Sequence, residues 1–308
     1  MAKIVVFGSR GNIGGHLVET LYPQMGQELR LISSSQEGVS DLSARYPNAD
    51  TRYGDLSSPE SIQAAIKDAE RVFVMYPDFE FDEEASTLAM IQAVRDTPTI
   101  KQVVRLLGVV SLVEEDDIPL SFRQQPAMPC WVHFRGRQLW RQSGLPVTFI
   151  NPWSWYMQSL PWLAARGVVE QDTFCLPFSH TLPYIDTRDI SEVAAKVLTE
   201  PVEKYVNEEL ALTGHEDDCF SFEELAEQFS EHLEREISYS GSISLFEQLL
   251  GEGAAPLLKY IGWEQSIVKE YRAHTDTVER LLGRQPRRFA DWLRQTREQF
   301  APLMVEAG

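Results

Sequence analysis

Lys3-Ile4-Val5-Val6-Phe7-Gly8-Ser9-Arg10-Gly11-Asn12-Ile13-Gly14 is a short apolar run, a turn with a glycine at every third position, and the start of a helical pattern. That context separates a dinucleotide-binding turn from a chance set of glycines. Gly8 permits the tight turn. Gly11 lets a pyrophosphate approach the backbone with no Cβ in the way, and Gly14 lets helix and strand pack closely. Ser9, Arg10, Asn12 and Ile13 complete the loop. It ends at a helix N-terminus, where free N–H groups and the helix dipole favour an anion. Glycine costs conformational entropy, so this density points to a backbone that needs it.

Outward from the turn, apolar runs alternate with helical patterns. The expected strands are 4–7, 29–32, 51–53, 72–75, 103–107 and 147–150, and the expected helices are 13–22, 61–69, 84–94 and 131–142. Such alternation means parallel strands joined by right-handed crossovers, which is an α/β, doubly wound Rossmann sheet. Beyond Ile150 the prolines 152, 161, 177 and 183 interrupt the pattern. A strand is expected at 183–186, a helix at 189–198 capped by Asp186 or Thr187, and a strand at 209–212. Ser221 and Glu224 have the spacing of a capping box that opens a helix over 223–233. The expected organisation is a nucleotide-binding domain over 1–152, with 181–214 returning to it. A smaller, mostly helical substrate lobe would comprise 153–180 and 215–308.

The net charge of −18 makes nucleic acid and anionic membrane surfaces poor partners. Cys130, Cys175 and Cys219 are too few and too scattered for a disulfide framework or a metal site, and the histidines lack metal spacing. No secretory leader and no run of membrane-spanning length is visible, so the expected location is the cytoplasm. Ser111 lacks the nucleophile elbow of a serine hydrolase. A small-molecule substrate is expected, and a homodimer is left open.

The expected second strand ends in Ser33-Ser34-Ser35, where an NAD site usually presents an acid to the ribose. Arg10 in the turn can neutralise a 2′-phosphate, assisted by the hydroxyls of Ser33 and Ser34. The residues therefore favour NADP(H) over NAD(H).

Taken together, the chain resembles the NmrA-like group of atypical short-chain dehydrogenases/reductases. The resemblance is carried by 6–14, by Gly54-Asp55-Leu56, and by Ser143-Gly144-Leu145-Pro146-Val147-Thr148 running into Asn151-Pro152-Trp153 and Tyr156-Met157-Gln158. It continues in 184–190 and in Leu212-Thr213-Gly214. It implies that Asp55 and Leu56 lie beside the adenine, and that Met75, Tyr76 and Pro77 flank the cofactor. It further implies Leu107 and Gly108 near the nicotinamide ribose. Asn151 and Pro152, with Trp153, Trp155, Tyr156 and Met157, would wall the nicotinamide and substrate pocket.

One departure matters. Short-chain reductases use Tyr-x-x-x-Lys, and no tyrosine here has a lysine four residues on. At the matching helix His133 stands in place of the tyrosine and Arg137 in place of the lysine. His133 could donate a proton, or it could make a structural hydrogen bond near the cofactor ribose. A nearby Arg⁺ is expected to favour the neutral imidazole.

The aromatics Trp131, Trp140, Trp153, Trp155, Tyr156 and Trp162 crowd one stretch. Trp153, Trp155 and Tyr156 suit either a flat aromatic ligand or core packing, whereas Trp140 and Trp162 are expected to pack. The leading functional expectation is an NAD(P)H-dependent reductase of a small conjugated substrate such as a quinone, iminium or enone. The alternatives are an NADP(H)-sensing regulator without turnover and a non-redox isomerase or cyclase.

Overall fold

A computed structural model describes residues 3–109 and 113–301. Ser111 lies outside the described residues. The chain forms two compact units, 1–152 with 188–212, and 153–187 with 213–308.

The first unit runs β1 (Ile4–Val6), α1 (Gly14–Met25), β2 (Leu29–Ser33), α2 (Gln36–Arg45), β3 (Asp50–Tyr53), α3 (Pro59–Ile66), β4 (Arg71–Val74), α4 (Glu83–Arg95), β5 (Gln102–Leu106), α5 (Leu120–Arg123), α6 (Pro129–Ser143) and β6 (Val147–Pro152). The second unit follows with β7 (Trp155–Tyr156), α7 (Leu160–Gln171), β8 (Thr173–Cys175) and β9 (Leu182–Ile185). After α8 (Thr187–Thr199) and β10 (Glu209–Leu212), which return to the first unit from Arg188, it resumes with β11 (Cys219–Phe220), α9 (Phe222–Leu233), β12 (Ser238–Ser240), α10 (Ile243–Leu250), α11 (Ala254–Ile267), α12 (Thr277–Leu282) and α13 (Phe289–Gln295).

Seven strands form one sheet in the order β10-β6-β5-β4-β1-β2-β3, every pair parallel. This is the doubly wound Rossmann order. The direction of winding reverses between β1 and β4, and ligands of such sheets bind outside the carboxyl ends of the strands at that point. Parallel strands are covered on both faces, so they read as nearly unbroken apolar runs. β1, β2, β5 and β6 are buried along their whole length. Their polar exceptions are each partnered. Arg30 meets Asp50 at 2.8 Å, and Gln102 donates to Thr148 Oγ1 at 2.8 Å. Phe7, Val74, Met90, Trp140 and Phe149 belong to the core on one face.

The helices begin where side-chain caps allow. Ser35, Ser58 and Asp82 each accept an N–H of the first turn of α2, α3 and α4. α2 was not foreseen, because only Gly38 and Leu42 of its ten residues are buried. α7 was missed for another reason. Pro161 reads as an interruption in the sequence, yet it occupies the first turn, where proline's missing N–H costs nothing.

The second unit holds small sheets β11-β9-β7 and β12-β8. Its core is aromatic: Phe229 meets Phe300 edge-on at 4.8 Å, and Phe289 contacts Phe220 and Trp292. The expected capping box at Ser221 and Glu224 is present. Trp162 departs from the expected packing. It lies on an outer face of α7 and is 59% exposed. Among the described residues no helix is long and apolar enough to cross a membrane.

Candidate functional site

The glycine turn sits at the carboxyl end of β1. Gly8 has φ +72°, a left-handed conformation that favours glycine. Gly11 N–H donates to the Gly8 carbonyl at 2.9 Å, closing the turn. A Cβ on Gly14 would stand 2.1 Å from that same carbonyl oxygen, so only glycine fits there. Ser9 is buried and staples the loop: its hydroxyl donates to Val6 O at 2.7 Å and accepts Ile32 N–H at 3.2 Å. Ser191 on α8 donates to Ile13 O at 2.8 Å. α1 then starts with no side-chain cap and no acid in its first turn. Its amide donors and dipole therefore face the turn without a protein anion of their own, which suits an anion such as a pyrophosphate. Met75, directly after β4, approaches Gly8 so closely that a Cβ there would lie 3.2 Å from its Cγ.

Arg10 leaves the turn toward the start of α2. Its guanidinium lies 3.5 Å from Asp41, and a Cβ on Gly38 would collide with both Arg10 Nη1 and Ser33 Oγ, at 2.7 and 2.1 Å. Gly38 thus lets Arg10 and Ser33 converge beside the N-terminus of α2. Ser34 is exposed and Ser35 serves as the cap. Asp55 follows β3, and two hydrogen bonds from Ser57, at 2.7 and 2.8 Å, hold its carboxyl below the usual range. The Leu56 carbonyl accepts from Ser86 at 2.5 Å.

His133, on α6, packs against Gly108 just past β5; a Cβ on Gly108 would meet its Cδ2 at 3.4 Å. It belongs to a set of charges gathered from four segments, in which Glu83, Arg105 and His133 are buried and Asp78 is half exposed. Its Nε2 is 3.0 Å from Asp78 Oδ1, in the loop after β4. Its Nδ1 is 3.4 Å from Arg105 Nη2 on β5 and 3.8 Å from Glu83 Oε1, the first residue of α4. Arg105 is 0% exposed, donates to Glu83 and to the Leu106 carbonyl, and lies over the Tyr76 ring at 4.4 Å. Burial alone lowers the pKa of His133. The Glu83 charge and the Asp78 hydrogen bond more than offset this, and the ring titrates above an ordinary histidine. The nearby arginine does favour the neutral ring, as expected, but it is Arg105 rather than Arg137, and the two carboxylates outweigh it. Burial pushes the Tyr76 hydroxyl up to about 12, so it adds no charge.

Arg137 turns elsewhere. With Arg141 it pairs with Glu209 on β10, at 3.4 and 2.5 Å, and it lies over the Phe134 ring. Asn151 spends its amide on the backbone of Val109 in both directions, at 2.9 Å each, and on Glu209 at 2.7 Å. It pins the chain after β5 through Val109. Leu107 is core, with its N–H on Ile150 O, and Pro152 pairs with Leu212 at the sheet edge. Pro77 is exposed.

In the second unit, the Trp155 indole donates to the buried Glu264 carboxylate at 3.2 Å. Glu264 also accepts from Tyr260 and contacts His180 Nε2, each at 3.2 Å. Phe222 and the His180 ring pack on Trp155. Tyr156, on β7, pairs with Ile185 of β9, Met157 is 0% exposed, and Trp153 is partly buried.

Sequence reading overlooked Asp78, Glu83, Arg105, His180 and Glu264. Arg105 carried a usable signal. An arginine inside the run Val103-Val104-Arg105-Leu106-Leu107 must find a buried counter-charge if the strand is parallel. Among the described residues no cluster of metal-ligand type occurs.

Residues 1–279 match the model of the NmrA-like family. The chain is 27% identical over 302 residues to an NAD(P)H azoreductase of Xenophilus azovorans, covering 94% of this chain and 96% of that protein. It superposes on the triphenylmethane reductase of Citrobacter sp. in complex with NADP(H), with a TM-score of 0.74 at 21% identity, covering 97% and 99% of the two chains. It likewise superposes on the negative transcriptional regulator NmrA in complex with NADP, with a TM-score of 0.70 at 20% identity, covering 96% and 95%.

Proposed function

Because the chain belongs to the NmrA-like family, we propose that it is a reductase that uses a reduced nicotinamide dinucleotide, NADP(H) in preference to NAD(H), on a small conjugated acceptor such as a quinone, iminium, enone or azo compound. The observation that carries this reading is the anion seat: a turn closed on itself at Gly8 and Gly11, a Gly14 that admits no side chain, and a helix with no side-chain cap and no acid in its first turn. The residues fit a dinucleotide there. A bound reduced nicotinamide would supply the hydride.

The chain's own groups hold and orient. The N-terminus of α1 takes the pyrophosphate, and Arg10 with Ser33 takes the 2′-phosphate beside α2. Gly108, at the carboxyl end of β5, leaves room for the His133 ring, which supplies a hydrogen bond to the oxygen or nitrogen that gains negative charge. An electrophilic acceptor needs little acid catalysis, so the absence of a Tyr-x-x-x-Lys pair is compatible with turnover.

The test is turnover. Purified protein is mixed with NADPH or NADH and a panel of quinones, imines, enones and azo dyes, and loss of the reduced-nicotinamide absorbance is followed. Saturable oxidation that disappears in Gly11→Trp supports the reductase. Saturable cofactor binding with no turnover on any acceptor overturns it in favour of the sensor, a reading the likeness to NmrA makes the natural second choice.

A further inference from the structure

The two ring nitrogens of His133 face groups of opposite hydrogen-bonding capacity. Nε2 lies 3.0 Å from the Asp78 carboxylate, which accepts. Nδ1 lies 3.4 Å from Arg105 Nη2, and a guanidinium can only donate. A neutral imidazole therefore has one matching tautomer, with its proton on Nε2 and its lone pair on Nδ1. The other tautomer sets an N–H against an N–H of Arg105 and a lone pair against Asp78. If the ring takes a second proton, that proton goes to Nδ1, where Glu83 Oε1 is 3.8 Å away. Nε2 keeps its own proton in either charge state.

Arg105 cannot rotate out of this role. It has no solvent exposure, Glu83 and the Leu106 carbonyl hold its two terminal nitrogens, and Tyr76 lies under its plane. The groups around His133 are thus Asp78 from the loop after β4, Glu83 from α4, Arg105 from β5 and the uncharged Tyr76. On its own helix Arg137 is engaged by Glu209.

We propose that Arg105, seated by Glu83, is a positioning residue that fixes the proton of His133 on Nε2 and makes that nitrogen a constant hydrogen-bond donor at the carboxyl end of β5. For the reaction, which rests on the reductase reading, the consequence is specific. Loss of the Nε2 proton from the imidazolium would leave the disfavoured Nδ1–H tautomer against Arg105. His133 therefore offers only its Nε2–H, which rests on the half-exposed Asp78 carboxylate and passes to the anion formed when hydride reaches the acceptor as Asp78 gives way, and the proton that completes the reduction comes from water.

The experiment is nitrogen NMR on protein carrying 15N-labelled histidine, with no substrate, above the titration of His133. The His133→Asn variant identifies its signals among those of the six histidines. The expected spectrum has a protonated Nε2 and a bare Nδ1. Arg105→Met leaves the Glu83 carboxylate facing Nδ1, in competition with Asp78 at Nε2, and should populate the Nδ1–H tautomer, whereas Arg105→Lys, which still donates, should restore the wild-type pattern. Glu83→Gln should keep the tautomer, since Arg105 retains its acceptor, while the ring titrates at lower pH. An Nδ1–H tautomer in the wild-type protein overturns the proposal, even if Arg105→Met does not fold. So does an unchanged tautomer in a folded Arg105→Met. A protein that reduces nothing would leave the spectrum unaffected, so the two readings fail separately.

Discussion

Adjacent glycines at the start of α1 should respond to alanine with opposite signs. In an open helix position alanine is favoured over glycine by up to about 1 kcal/mol. At Gly15 the new Cβ would meet its nearest neighbour, Ser9 O, at 3.7 Å, an ordinary contact. Gly15→Ala should therefore be neutral or stabilising. At Gly14 the new Cβ would fall 2.1 Å from Gly8 O and 2.7 Å from Gly8 C, against the 3.4 Å where ordinary contact begins. Both atoms are backbone in a closed turn, so the propensity gain is reversed by an overpacking cost of about 1–3 kcal/mol. In a domain of roughly 150–250 residues each kcal/mol moves Tm by about 2–4 °C. Opening the turn also displaces the amides of the anion seat. Binding of a nicotinamide dinucleotide should weaken by about tenfold or more, which is ~1.4 kcal/mol. Thermal melts and calorimetric titrations of the two variants read both effects. If Gly14→Ala is as stable as Gly15→Ala and binds the cofactor unchanged, the turn is not built as argued.

The remaining expectations concern charge. The folded-state pKa of His133 is raised, so the stability it contributes is complete below about 6.5 and is lost as pH rises through the folded value. Urea unfolding from pH 5.5 upward should show this decline, and His133→Asn should flatten it. Arg105→Met should cost about 3–5 kcal/mol by leaving Glu83 buried and unpaired, while the double variant Glu83→Leu/Arg105→Met should recover most of that in denaturant melts. Arg10→Ala should weaken NADPH by roughly 10–100-fold, the worth of a charged hydrogen bond of ~1.5–3 kcal/mol, and weaken NADH much less. Equal losses for both would remove Arg10 as the 2′-phosphate partner.

What the sequence disclosed followed from locality. Strands of a covered parallel sheet announce themselves as apolar runs, and β10 was readable to the residue at 209–212. The glycine turn is a single continuous segment, so its spacing carries its geometry. Features assembled from distant segments were not readable. Asp78, Glu83, Arg105 and His133 come from a loop, two helices and a strand, and nothing in any one segment names the others. β7 and β11 have two residues each, too few for a period, and α2 buries too little apolar surface to stand out. Arg137 matched a sequence position, yet a carboxylate on β10, Glu209, takes its charge.

The most direct measurement is calorimetric titration of the wild-type chain with NADPH, NADP⁺, NADH and NAD⁺. Saturable binding, tighter for the 2′-phosphorylated pair and weakened by Gly14→Ala, is the expected result. No heat with any of the four would mean that the turn after β1 seats no dinucleotide, and the account would fall with it.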